Sequence, residues 1–282
     1  MPWFDAADPG GPVPGAAIYY EVEGNGPPIV LLHGYALNGN MWDRQKPIFA
    51  KTHRVVTLDL RGFGDSSCGK RWSGSAMAED VCGLIRTLGL GDVTILGFSM
   101  SGPVVVRLAL EMPEIIAKLI LVSSILPSAG RPKARSESEI QQRELDILRL
   151  RGVKAWAEAM GLRDGPLVGN MFKRNPDIIP LWEAMLARHH ADFLLCMMES
   201  RLNTESSAGS KGPIDWRSRL PEIRQPTLVV AGAQDSRFLD ASRRLAEAIP
   251  NARLEIISGA GHMVNLEELD EFNRVVANFL KQ

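Results

Sequence analysis

Val93-Thr94-Ile95-Leu96-Gly97-Phe98-Ser99-Met100-Ser101-Gly102 is an apolar run that passes through small residues into a helical stretch. A serine presented on a sharp strand-to-helix turn needs small neighbours, because the backbone there is strained and closely packed. Gly97 meets that need before Ser99. On the other side the usual G-x-S-x-G spacing would put glycine at 101, where this chain has Ser101, with Gly102 one place later. The stretch reads either as a nucleophile on such a turn or as an ordinary βα turn with a helix-capping serine, Ser99 or Ser101.

The surroundings favour a sheet that supports such a turn. Short β-branched runs at 18–22, 29–32, 55–58, 93–96, 119–122, 227–230 and 254–257 read as strands. Several are apolar at every position, as in strands buried on both faces of a mostly parallel sheet. Helical spacing fills 76–88, 102–111, 240–248 and 267–280, giving the βαβ alternation of an open α/β sheet. The alternation stops between 126 and 215. That segment reads as helices at 136–150, 153–160, 177–189 and 191–202, opening at Pro127-Ser128-Ala129-Gly130-Arg131-Pro132 and closing in a Ser- and Gly-rich stretch at 203–212. The expected organisation is a core of 1–125 and 216–282 interrupted by a helical cap of 126–215.

Composition narrows the function classes. In 282 residues, 32 Lys+Arg oppose 33 Asp+Glu, which removes the electrostatic case for nucleic acid or an anionic membrane surface as main partner. No apolar run approaches a membrane span, and Met1-Pro2-Trp3-Phe4-Asp5 lacks the basic and apolar regions of a secretory signal. Cys68, Cys82 and Cys196 are odd in number and scattered, which fits neither a disulfide framework nor a metal knuckle. The expectation is a cytoplasmic protein, monomer or homodimer, without metal or cofactor.

A serine nucleophile needs a base, and the base needs an orienting acid. His262 follows the last strand in Ser258-Gly259-Ala260-Gly261-His262-Met263, at the strand C-termini where open α/β sheets bind ligands. His53 precedes a strand and belongs to the opposite edge. His33 reads as a buried side chain bonded to nearby loops, and His189 and His190 as helix-surface residues of the insert. Asp235 closes Ala231-Gly232-Ala233-Gln234-Asp235 after another strand, whereas Ser123 and Ser124, after 119–122, offer no carboxylate. Taken alone Asp235 reads equally as a surface turn residue. The combination Ser99, Asp235, His262 puts all three at one sheet edge. Two backbone N–H groups must also face the developing oxygen charge. Met100 supplies one, and the loop His33-Gly34-Tyr35-Ala36-Leu37-Asn38-Gly39 the other, with Tyr35 as the expected donor.

Leu31-Leu32-His33-Gly34-Tyr35, Asp59-Leu60-Arg61-Gly62-Phe63-Gly64-Asp65-Ser66, Gly97-Phe98-Ser99-Met100-Ser101-Gly102, Gly232-Ala233-Gln234-Asp235 and Gly259-Ala260-Gly261-His262 together resemble the α/β-hydrolase superfamily. The likeness is nearest to its lid-bearing esterase, lactonase and non-metal haloperoxidase branch. It covers nearly the whole chain outside the insert, and Ser101 is its one departure. It implies an eight-stranded sheet with a cap and a Ser99–His262–Asp235 triad; in that pattern the Asp59–Ser66 segment is a structural turn. Dehalogenases and epoxide hydrolases of the fold carry aspartate at the elbow, unlike Ser99. Its carbon–carbon bond hydrolases usually have a longer Gly/Pro-rich loop than Tyr35-Ala36-Leu37-Asn38.

The insert should set specificity. Met160, Met171, Met185, Met197 and Met198 are there, beside Trp156, Trp182, Phe172 and Phe193, and 13 Lys+Arg oppose 12 Asp+Glu. A Met- and aromatic-rich lid suits an adaptable apolar pocket, with Trp156, Met160, Met185, Met197 and Met263 as candidate lining residues; packing within the cap is the competing reading of each. The expected substrate is a small to medium, mainly apolar or aromatic carboxylic ester or lactone. The alternatives are a ligand receptor or signalling module on the same fold with slow hydrolysis, and a carbon–carbon bond hydrolase.

Overall fold

The structure, a computed structural model, describes residues 3–7, 14–70, 72–124, 135–165, 168, 171–203 and 216–282. Eight strands form one sheet: β1 (Trp3–Ala7), β2 (Pro14–Glu23), β3 (Pro28–Leu32), β4 (Arg54–Leu58), β5 (Val93–Phe98), β6 (Ile116–Val122), β7 (Thr227–Gly232) and β8 (Ala252–Ile257). Their order is β1-β2-β4-β3-β5-β6-β7-β8. β1 and β2 run antiparallel to their neighbours, and every pairing from β4 to β8 is parallel. The mostly parallel sheet expected from the strand pattern, with the eight strands that the resemblance implies, is the architecture observed.

Burial follows position. Every residue of β5 and β7 is buried, because helices cover both faces of the central strands, whereas β8, at the edge, is buried only at Ile257. The helix Gly74–Thr87 begins where Ser73 Oγ accepts the Ala76 N–H, and its apolar stripe packs into the core. Helices Gly102–Glu111, Leu239–Ala248 and Leu269–Leu280 complete the layers.

β1 is absent from the sequence reading. It is a short edge strand in which Ala6 is buried while Trp3 and Asp5 are exposed, so no apolar run marks it. Its place comes from pairing with β2 and from the Trp3–Tyr19 ring contact at 5.3 Å.

Between β6 and β7 the described chain is helical: Arg135–Ala159, Met171–Arg174, Ile179–Ala187 and Ala191–Asn203. The first is two helices, broken where Gly152 takes φ 77°. These helices occupy the segment in which the sequence leads one to expect a cap. Its expected limits at 126 and 215, with the Pro/Gly opening and most of the Ser/Gly closing stretch, lie outside the described residues.

This layer is fixed to the core by polar contacts. Asn38 Nδ2 donates to the Met185 carbonyl at 2.7 Å. Arg188 Nη2 donates to the buried Asp59 at 2.9 Å and to Asp65 at 2.5 Å, and its guanidinium also reaches Asn40. Burial raises Asp59 to about 6, against the pull of Arg188 and the Gly39 and Asp65 N–H groups.

His189 corrects the sequence reading that placed it on a helix surface. It is buried, its Nδ1 accepts the Gly64 N–H at 2.9 Å, and its Nε2 lies 3.1 Å from the Ala36 carbonyl. Nδ1 is thus the acceptor and Nε2 the proton carrier, with burial holding the ring down to about 4. The next residue, His190, is exposed as expected.

Candidate active site

β5 ends at Phe98, and Ser99 follows at φ 52°, in the left-handed region that costs a non-glycine residue about 1–2 kcal/mol. The helix Gly102–Glu111 then starts within three residues. The turn closes only because its neighbours are small. A Cβ at Gly97 would meet Val105 Cγ2 at 2.6 Å, and one at Gly102 would meet Ser124 Cβ at 2.5 Å. Ser101, the departure from the glycine pattern, is buried and bonded. Its Oγ lies 3.1 Å from the Leu32 carbonyl and 3.0 Å from that of Phe98, tying the elbow to the end of β3.

Asp235 and His262 come to the same edge on the loops after β7 and β8. Those loops are in register: Ala233 N–H donates to the Ile257 carbonyl at 2.9 Å and Gln234 N–H to the Ala260 carbonyl at 2.8 Å. Close approach is required here, since a Cβ at Gly232 would meet the Gly261 carbonyl at 2.1 Å. Ser123 Oγ donates to the His262 carbonyl at 3.1 Å, which fixes the loop from β6.

The three side chains form one hydrogen-bonded run. His262 Nδ1 is 2.9 Å from Asp235 Oδ2, and His262 Nε2 is 3.2 Å from Ser99 Oγ. A carboxylate only accepts, so Nδ1 carries the proton and Nε2 faces the hydroxyl as an acceptor. The second oxygen of Asp235 accepts the Phe238 N–H at 3.2 Å. Two aromatic rings contact the imidazole, Phe238 stacked at 4.5 Å and Phe98 tilted at 5.0 Å between centroids. Asp235 and His262 are both buried.

The loop after β3 presses against the elbow. A Cβ at Gly34 would meet Phe98 Cδ1 at 2.7 Å and Ser99 Cβ at 3.4 Å, so glycine lets Tyr35 stand beside Ser99. His33 supports this loop and is buried and bonded to nearby loops, as expected. It accepts the Leu60 N–H on Nε2 at 2.8 Å, donates from Nδ1 to the Gly34 carbonyl at 2.8 Å, and is driven down to about 3 by burial.

A cavity of about 440 Å³ opens over Ser99 and His262, lined also by Tyr35, Phe98, Ile140, Gln141, Glu144, Met160, Arg237, Phe238 and Met263. Two of the five lining residues expected from the sequence, Met160 and Met263, are in it. Trp156, Met185 and Met197 are not, and this corrects the expectation. They are almost fully buried where the cap meets the core, with Trp156 edge-on to Tyr35 and His189 and Met197 packed over Gly62. The polar lining residues Gln141, Glu144 and Arg237 were missed. The first two lie on a cap helix whose amphipathic pattern gives no sign of which end overhangs the sheet; Arg237 lies two residues after Asp235, a proximity the sequence did offer.

A family model described as Alpha/beta hydrolase family matches residues 29–275. The chain is 31% identical over 281 residues to a Synechocystis sp. protein named provisionally as a non-heme chloroperoxidase, covering 94% of this chain and 95% of that one. Among solved structures it is similar to a thermophilic esterase from Thermogutta terrifontis, with TM-score 0.82 and 26% identity over 99% of this chain and 98% of that chain. It is also similar to the enol-lactonase from Burkholderia xenovorans LB400, with TM-score 0.77 and 26% identity over 95% and 97%. The sheet order, the strained serine after β5 and the family match across most of the sequence lead to one conclusion: the chain belongs to the alpha/beta hydrolase family.

Proposed function

We propose that this hydrolase cleaves small to medium, mainly apolar or aromatic carboxylic esters or lactones through an acyl-enzyme on Ser99. The observation that carries the reading is the continuous run Asp235–His262–Ser99, at 2.9 and 3.2 Å, beneath a cavity of about 440 Å³.

Ser99 Oγ attacks the substrate carbonyl carbon as its proton passes to His262 Nε2. Asp235 holds the ring through Nδ1–H and stabilises the imidazolium. The Met100 and Tyr35 N–H groups stabilise the tetrahedral oxyanion, and one such donor is worth about 100–1000-fold in rate. His262 then gives its proton to the leaving oxygen, with which the carbonyl–oxygen bond breaks. Water, deprotonated by the same nitrogen, releases the acid and restores Ser99.

Apolar lining from Tyr35, Met160, Phe238 and Met263 supports a mainly apolar acyl or alcohol part. The helices between β6 and β7 act as a lid that sets its size. Kinship with an esterase and an enol-lactonase supports the ester and lactone classes. The test is turnover of a panel of aryl esters, alkyl esters, lactones and carbon–carbon diketone substrates by the unaltered chain and by Ser99→Ala. Repeated turnover of esters or lactones that disappears in Ser99→Ala is expected. A single stoichiometric burst, or turnover confined to the carbon–carbon substrates, overturns the reading.

A further inference from the structure

Glu267 is a buried carboxylate with no part in the proton path described above. It closes the short helix Val264–Glu267 that follows His262, and its side chain turns back toward the loop. Glu267 Oε2 accepts the Gly261 N–H at 2.9 Å and Oε1 accepts the Met263 N–H at 3.1 Å. These are the two peptide N–H groups on either side of His262. Capping the helix would need only the bond to Met263, its N-cap residue. The bond to Gly261 lies beyond the histidine and makes the carboxylate a clamp on the backbone from which the imidazole projects.

We infer that Glu267 is the positioning residue for His262, holding its backbone on both sides. This rests on the proposal that His262 is the base. The imidazole meets Asp235 at Nδ1 and Ser99 at Nε2, with Phe238 stacked on it and Phe98 tilted beside it. Glu267 interacts electrostatically with His262 and with Arg174 of the cap, and burial raises its carboxyl. Arg174 itself pairs with Glu268 and donates to the Gly259 carbonyl, while Asn175 Nδ2 donates to the Glu267 carbonyl at 3.2 Å. The cap thus reaches the same clamp. Two charge-assisted bonds to one carboxylate restrict the loop more than a neutral pair would, and a small displacement of a base is costly in rate.

The experiment compares the full chain with Glu267→Gln, Glu267→Asp and Ser99→Ala, each checked by thermal melting. With an activated aryl ester, Glu267→Gln is expected to lose about 10-fold in kcat with KM changed less than about twofold. Glu267→Asp keeps a carboxylate, so even with its shorter reach it recovers part of the lost kcat. A purely structural clamp would lower the melting temperature of both variants and leave kcat of the folded protein unchanged, which overturns the inference. So does full kcat in Glu267→Gln, or in Glu267→Asp should the Gln variant fail to fold. Loss of turnover in Ser99→Ala alongside either result shows that the inference alone has failed; turnover retained in Ser99→Ala shows that the proposed function has failed.

Discussion

Ser99 stands 3.2 Å from His262 Nε2 on a backbone twisted to φ 52°, so the contact that would activate the hydroxyl is held by local strain. Strain of this kind is of order 1–3 kcal/mol and persists only where the surroundings impose it. Ser99→Gly should therefore raise stability by about 1 kcal/mol over Ser99→Ala, although both remove the hydroxyl. Urea denaturation of the two variants checks this, and equal midpoints would mean that the turn stores no strain.

The division between lining and packing residues of the cap has separable consequences. Met160 borders the cavity, so Met160→Ala should leave stability within about 1 kcal/mol and shift the kcat/KM preference toward bulkier acyl groups. Trp156→Ala removes a fully buried ring and should cost about 3–5 kcal/mol. Denaturation curves measured beside a graded series of acyl chain lengths distinguish the two. A specificity change of equal size in both variants would contradict the assignment.

This division shows what the sequence withholds. Ser99, Asp235 and His262 were legible because each follows a strand whose apolar run marks it, and parallel strands deliver their following loops to one edge. Trp156, Met185 and Met197 were misplaced because one apolar composition serves both a pocket wall and a packed junction. His189 was misread for a related reason: helical spacing around it predicts a surface, but the Gly64 N–H and Ala36 carbonyl it satisfies come from loops more than a hundred residues away. The Gly261–Glu267 bond spans six residues, yet a glutamate after a histidine carries no mark of where its carboxylate points.

Arg188 and Asp59 join cap to core through a fully buried carboxylate and a mostly buried guanidinium. Arg188→Ala leaves Asp59 with backbone donors only, at an expected cost of about 3 kcal/mol at pH 7.5, the low end for a broken buried pair because Arg188 is partly exposed. The loss should shrink at pH 5.5, where Asp59, already raised to about 6 by burial, is mostly protonated and carries less unpaired charge. Denaturation at both pH values tests this, and an equal deficit would exclude the buried charge as its source.

Acid sensitivity follows from His33 and His189, two of the buried histidines. Burial holds His33 down to about 3 and His189 down to about 4, while unfolded histidine takes up its proton near about 6.5. Below that pH the unfolded chain binds more protons, so each histidine removes up to about 1.4 kcal/mol per pH unit of acidification. Asp59 opposes them: its raised folded value means the folded chain takes up the extra proton between about 6 and 3.9. Two losses against one gain leave a net decline between pH 7 and 5. Urea midpoints should fall across that interval, less steeply in His189→Gln, and a rise on acidification would show that the histidines are not buried neutral.

The acyl-enzyme itself is the most direct object of measurement. The chain is mixed with an activated aryl ester, quenched in acid within the first turnover, and its mass and peptides are determined. The expected result is one acyl group per chain on the peptide that contains Ser99, with no label and no turnover in Ser99→Ala. Acylation at another residue, or hydrolysis that continues in Ser99→Ala, would contradict the account.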